Sequence, residues 1–278
     1  MRKNIFGLIG YTVLKCNDKL VLIMADRHDS LPPCNVDYNK VSDWLKSKFD
    51  VADILLEEVK RTKYNVLGEL WATSEHTQDL KNLYLDNANN NVIKPIDIRN
   101  NYIPYSWELY DKNEIGHNII YYQFLSHINK FFSLKDEKLK AQIPLYNINY
   151  LKHNVLGIYF LLIKYNYKDY VEKYKHHLYA NINDIIDNKK IFLEFNDILH
   201  SILEWYAIAE TINSTKNKII IHTGLAHSEK IVYYLQRIFN YEIIDEQGTN
   251  TIGDLTRPVT SCFLLPSEIA AQFGGFRL

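Results

Sequence analysis

Two runs of strand-forming residues, Lys19-Leu20-Val21-Leu22-Ile23-Met24 and Lys218-Ile219-Ile220-Ile221-His222-Thr223, lie near opposite ends of the chain. Runs this short and this apolar predict strands buried in a sheet interior. Each is followed at once by a segment that ends in histidine: Ala25-Asp26-Arg27-His28 after the first, Gly224-Leu225-Ala226-His227 after the second. Each histidine is thus expected where a buried strand meets its loop. In open α/β sheets that rim is where ligands bind.

The segments between these runs set the architecture. Residues 4–24 read as two strands turning at Asn17-Asp18, a β-hairpin. Val36, Val41, Trp44, Leu45 and Phe49 recur at near-helical spacing and predict a helix over 35–49, after the Pro32-Pro33 loop. Asp53-Ile54-Leu55-Leu56-Glu57-Glu58 reads as a short buried strand, 68–85 as a helix, and Val92–Arg99 as a further strand. Between about 106 and 215 the periodicity is helical. The β/α pattern then resumes with strands at 218–223, 241–245 and 261–265 and a helix over 229–240. The expected fold is therefore α/β: a mainly parallel sheet flanked by helices, one domain over 1–278 with a helical insertion or cap at 105–216. Such a cap would cover the rim.

Composition narrows the function classes. With 278 residues, 47% of them hydrophobic, the chain can bury a large core. A formal net charge of -1 offers no basic field for a phosphate backbone, so nucleic acid is not an expected partner. The longest apolar run, Val155–Ile163, falls well short of the ~20 residues that span a bilayer. The N-terminus has neither a signal-peptide nor an anchor pattern. Cys16, Cys34 and Cys262 are odd in number and widely scattered, so a disulfide framework is not expected and a reducing, cytoplasmic setting fits. A membrane is likewise not an expected partner.

Neutral imidazole can ligate a metal or accept a proton near neutral pH. His28 and His227, with Glu57 or Glu58 at a third strand end, form a convergent set if their three strands are neighbours. Two nitrogens and one carboxylate would then hold a divalent ion and leave a position open for water. Manganese, cobalt, zinc and iron all suit such a set. Alternation along a strand points Glu57 and Glu58 to opposite faces, so only one should meet the histidines. Gly224 is expected to let the strand turn sharply and to bring backbone N–H groups to a bound ion or substrate oxygen, whereas the first motif has Ala25 there. Asp97 and Arg99 share a face, where a mutual ion pair is one reading and an Arg99 clamp for developing negative charge the other. His222 reads as a core histidine bonded to backbone. Asp26, Asp29 and Ser30 could orient His28.

These features together resemble the TraB/Tiki, ChaN and erythromycin-esterase-like superfamily: a strand followed by G-x-x-H at both ends, an acid closing the second strand, and Asp-x-Arg closing a later one. The resemblance covers most of 19–240. It implies His28 and His227 as the paired histidines, Glu57 as the acid and Arg99 as the arginine. In Tiki-like members it implies a divalent-metal-dependent hydrolase, often a protease; ChaN-like members bind haem, and esterase-like members open a lactone. Ala25 in place of glycine, the doubled acid Glu57-Glu58 and the missing secretion signal depart from the pattern. The leading expectation is a hydrolase acting on an amide or ester, a peptide or a small ester, in which His28, Glu57 and His227 hold the metal. Glu57, Glu58 and Arg99 would take part in the chemistry. The rivals are a metal-free esterase with His28 or His227 as general base, and a binding protein that keeps the scaffold.

Overall fold

A computed structural model of the chain describes residues 3–59, 74–88, 92–97, 203–204, 206–208 and 210–274. The backbone divides into two units. The first comprises Met1–Lys60, Gly68–Asp97 and Asn213–Leu278, and the second Arg61–Leu67 and Ile98–Ile212. Of the second, only 203–204, 206–208 and 210–212 are described, and they are helical. The expected insertion at 105–216 therefore lies outside the described residues for most of its length. So do its His176, His177 and His200.

The first unit opens with β1 (Asn4–Phe6), then β2 (Gly10–Cys16) and β3 (Lys19–Asp26). β2 and β3 form the expected antiparallel hairpin, with Leu14 opposite Val21. Asn17 adopts the left-handed conformation at φ 53, which asparagine tolerates in tight turns. The segment before the hairpin is not continuous with it. Gly7, at φ 112, breaks the chain between β1 and β2 and sends β1 into a separate sheet.

The helix expected over 35–49 is shorter. Residues Tyr38–Lys40 form β4, paired parallel to β1, and only Val41–Lys46 form α1. Val41, Trp44 and Leu45 are buried, but Val36 is 55% exposed and belongs to no apolar stripe. A free strand edge captured the start of the predicted helix. β5 (Asp53–Val59), α2 (Glu75–Asn87) and β6 (Ile93–Asp97) follow. After the second unit come β7 (Lys218–Gly224), α3 (Leu225–Phe239), β8 (Glu242–Gly248), β9 (Cys262–Phe263) and α4 (Ser267–Gln272).

The main sheet has six strands in the order β6-β5-β7-β3-β2-β8, and a smaller one has three, β4-β1-β9. β6, β5, β7 and β3 run parallel; β2 and β8 run antiparallel to their neighbours. The sheet is therefore mixed rather than purely parallel, because the opening hairpin and the returning β8 extend it on one side.

Alternation sorts the central strands. Leu22 and Met24 of β3, Ile220 of β7 and Leu56 of β5 pack with Trp44, Leu80 and Tyr84 of α1 and α2. Val21, Ile23, Ile219 and Ile221 point the other way and are equally buried, and there Ala25 meets Leu225 of α3. This is why these strands read as unbroken apolar runs. Among the described residues no helix is long and apolar enough to cross a membrane.

Cys34 and Cys262 are joined in a disulfide, with Cα atoms 5.7 Å apart. This corrects the expectation of unpaired cysteines and removes their support for a reducing compartment. Sequence spacing could not reveal a pair 228 residues apart that meets only once the loop after β3 folds onto β9. Crosslinks that close long loops restrict the unfolded chain most, so Cys34→Ser should lower the unfolding free energy by about 2–4 kcal/mol. Denaturant titration of both proteins measures this, and an unchanged midpoint would show that the bond contributes nothing.

Candidate functional site

The order β5-β7-β3 sets three parallel C-terminal ends side by side. The register carries this to single residues: Asp26 of β3 lies opposite Gly224 of β7, and Leu56 of β5 opposite His222. Glu57 therefore comes level with Thr223, and the loop beyond Asp26 delivers His28 to the same rim.

Glu57 sits at the centre. Its Oε2 accepts hydrogen bonds from the Gly224 backbone N–H at 2.6 Å and the Thr223 hydroxyl at 2.7 Å. His28 Nε2 lies 3.7 Å from the same oxygen, and His227 Nε2 lies 3.5 Å from Oε1. The Glu57 and His227 side chains are 10% and 7% exposed, whereas His28 is 47% exposed. The set thus has two largely buried members and one that faces solvent.

Both nitrogen–oxygen separations exceed ordinary hydrogen-bond lengths. They are close to the ~3.4 Å between two donors that share a tetrahedral ion at ~2.1 Å. Among the described residues, however, no group of three or more His, Cys, Asp and Glu side chains forms a ready metal cage. The two imidazoles address different oxygens of Glu57, and one of those oxygens is already held by two donors.

His28 is held from its other side by Asp26. Asp26 Oδ2 is buried and pairs with His28 Nδ1 at 3.4 Å, longer than an ordinary hydrogen bond. Oδ1 accepts from the Arg27 N–H at 2.6 Å and meets His76 Nε2 at 2.8 Å. Burial alone would raise the Asp26 pKa, but its contacts with His28 and His76 outweigh it and hold the carboxyl well below the usual range. Burial likewise disfavours charge on His28, yet Asp26 and Glu57 push its pKa up to about 11. His222 is a core histidine: its Nε2 lies 3.2 Å from the Gly7 carbonyl, and burial lowers its pKa.

Gly224 needs a different explanation from the expected sharp turn. Its φ is -55, open to any residue, and it serves as the N-cap of α3. What the site needs there is room, because a Cβ would stand 2.9 Å from His28 Nε2 and 3.3 Å from Glu57 Oε2. His227 likewise lies not in a loop but in the first turn of α3, which begins four residues before the expected Glu229. The two motifs are also out of step, since β3 runs one residue past Ala25 to pair Asp26 with Gly224.

The pairing of β5 with β6 shifts register between Leu56 and Val59, a bulge at Glu57-Glu58. Bulges re-aim side chains, so simple alternation does not separate the two acids. Contacts do: Glu57 is the one the histidines face. Asp97 is buried at the end of β6, and Arg99 lies outside the described residues. Sequence reasoning missed His76 and Thr223. Thr223 was visible only as part of an apolar run, and nothing in the spacing of residues 26 and 76 links them.

No family model, curated protein or solved structure matches the chain.

Two outcomes follow. With its pKa raised from 6.5 to about 11, His28 in metal-free protein should stay protonated through neutral pH. Its pairing then stabilises the fold fully below pH 6.5, and that contribution is lost as pH rises through about 11. A histidine-resolved NMR titration reads this directly; ordinary titration near 6.5 would refute it. Gly224→Ala should displace His28 from Glu57 while leaving the sheet intact, which a crystal structure or His28 chemical shifts would register.

Proposed function

We propose that the first unit is a hydrolase in which His28, Glu57 and His227 hold a divalent cation and activate water against an amide or ester bond. The observation that carries this reading is the convergence of two imidazole Nε2 atoms on the two oxygens of one carboxylate, at spacings too long for hydrogen bonds. A bound cation would supply Lewis acidity and a water of lowered pKa. The remaining work falls to the chain. Thr223 and the Gly224 N–H fix Glu57, and Asp26 turns His28 so that Nε2 faces the rim. Gly224, having no side chain, leaves space beside both. Glu58 is the proposed proton acceptor. Manganese, cobalt and zinc all suit this donor set. Resemblance to the TraB/Tiki and erythromycin-esterase-like superfamily leads to the same donors and to peptides or small esters as substrates.

A second reading has a specific observation behind it. Because His227 Nε2 faces its own oxygen of Glu57, His227 could work directly with that carboxylate as a metal-free general base, as in an esterase.

Elemental analysis after dialysis against mixed divalent metals separates the two. Near-stoichiometric metal is expected in the wild type and is lost in His28→Ala and His227→Ala. Hydrolysis of model esters and peptides should fall by about 10²-fold or more in both variants and on adding chelator. Turnover that resists chelation would select the metal-free base.

A further inference from the structure

We infer that His76 is a positioning residue for His28, acting through Asp26. The inference deepens the hydrolase reading and rests on it for its functional meaning, but its geometry stands independently. His76 lies in the first turn of α2, and its side chain is 5% exposed. Its Nε2 meets Asp26 Oδ1 at 2.8 Å, and its Nδ1 meets the Ser74 hydroxyl at 3.0 Å. An ionised carboxylate only accepts, so Nε2–H donates to Asp26.

The consequence for His28 follows from the torsional freedom of a carboxylate. The last side-chain torsion of aspartate is broad, so hydrogen bonds decide where its two oxygens point. Oδ1 is held by two donors. One, the Arg27 N–H, belongs to the loop that carries His28 and moves with it. The other, His76, comes from a separate element and anchors that loop to α2. With Oδ1 fixed, Oδ2 faces His28 Nδ1. A carboxylate on one imidazole nitrogen orients the ring and raises the basicity of the other, here the Nε2 that faces Glu57. His222 Nε2 faces the Gly7 carbonyl, so that nitrogen makes no hydrogen bond to Asp26. The chain Ser74, His76, Asp26, His28 thus links α2 to the Nδ1 side of the His28 ring.

Two substitutions isolate this role from packing. Glutamine places its amide N–H near the position of Nε2, whereas asparagine cannot reach it. In metal-free protein, NMR should show a His28 Nδ1–H proton held out of solvent exchange in the wild type and in His76→Gln, and lost in His76→Asn. Titration with Co²⁺ alone, read by its visible spectrum, should give near-wild-type affinity for His76→Gln and about 10–100-fold weaker affinity for His76→Asn. A missing His28 Nδ1–H signal in the wild type overturns the inference. So does its loss in His76→Gln, or its persistence in a folded His76→Asn. Should the asparagine variant not fold, the wild-type and glutamine spectra decide. If the NMR pattern holds but the wild type binds no Co²⁺, the metal reading fails and the positioning role stands.

Discussion

The insertion of β7 between β5 and β3 is the constraint on which the rest of the site depends. β3 and β5 are formed early in the chain, yet each pairs with a strand that begins at residue 218. Until β7 docks, the sheet has no centre, and Glu57 and His28 have no common neighbour. Docking closes the sheet and also brings the Gly224 N–H and the Thr223 hydroxyl to Glu57. Folding and assembly of the site are therefore one event. A strand with buried apolar residues on both faces is suited to that place, because it must satisfy core packing on both sides at once.

Two carboxylates organise three histidines around that centre. Glu57 stands between His28 and His227, and Asp26 between His28 and His76, while His222 is turned away to a backbone carbonyl. Asp26 could not remain charged in so buried a position on its own. Its imidazole contacts are what keep it ionised. In return, the two acids hold the charge on His28. The arrangement is reciprocal: removing either acid would loosen His28, and removing buried Asp26 would also take the carboxylate from His76.

Much of the frame was legible in the sequence. The apolar runs at 19–24 and 218–223, the Asn17-Asp18 turn and the acid-ended 53–58 segment each became the expected strand or turn, because local preference and burial agree there. Where local preference met a tertiary demand, the reading failed. Tyr38–Lys40 became a strand because β1 offered an edge, and Gly224 is small because His28 needs the space. The His76–Asp26 pair and the Cys34–Cys262 bond were invisible for a third reason. Both are contacts across long sequence separations that no periodicity encodes.

His28 is the least confined member of the set, and the structure restrains it by its loop rather than by packing. Asp26 holds the loop at its start, and six residues beyond His28 the disulfide ties Cys34 to β9. Between them the Ser261 hydroxyl bonds the Pro32 carbonyl. The residues from Arg27 to Ser30 are exposed, so apolar burial contributes little to their order. Fixed ends limit how far His28 can swing while leaving its ring open to solvent. Glu57 and His227, anchored on a strand and a helix, provide the opposite condition. Two groups carried by a strand and a helix, and one carried by a loop tied at both ends, thus give the rim a buried side and a side open to solvent.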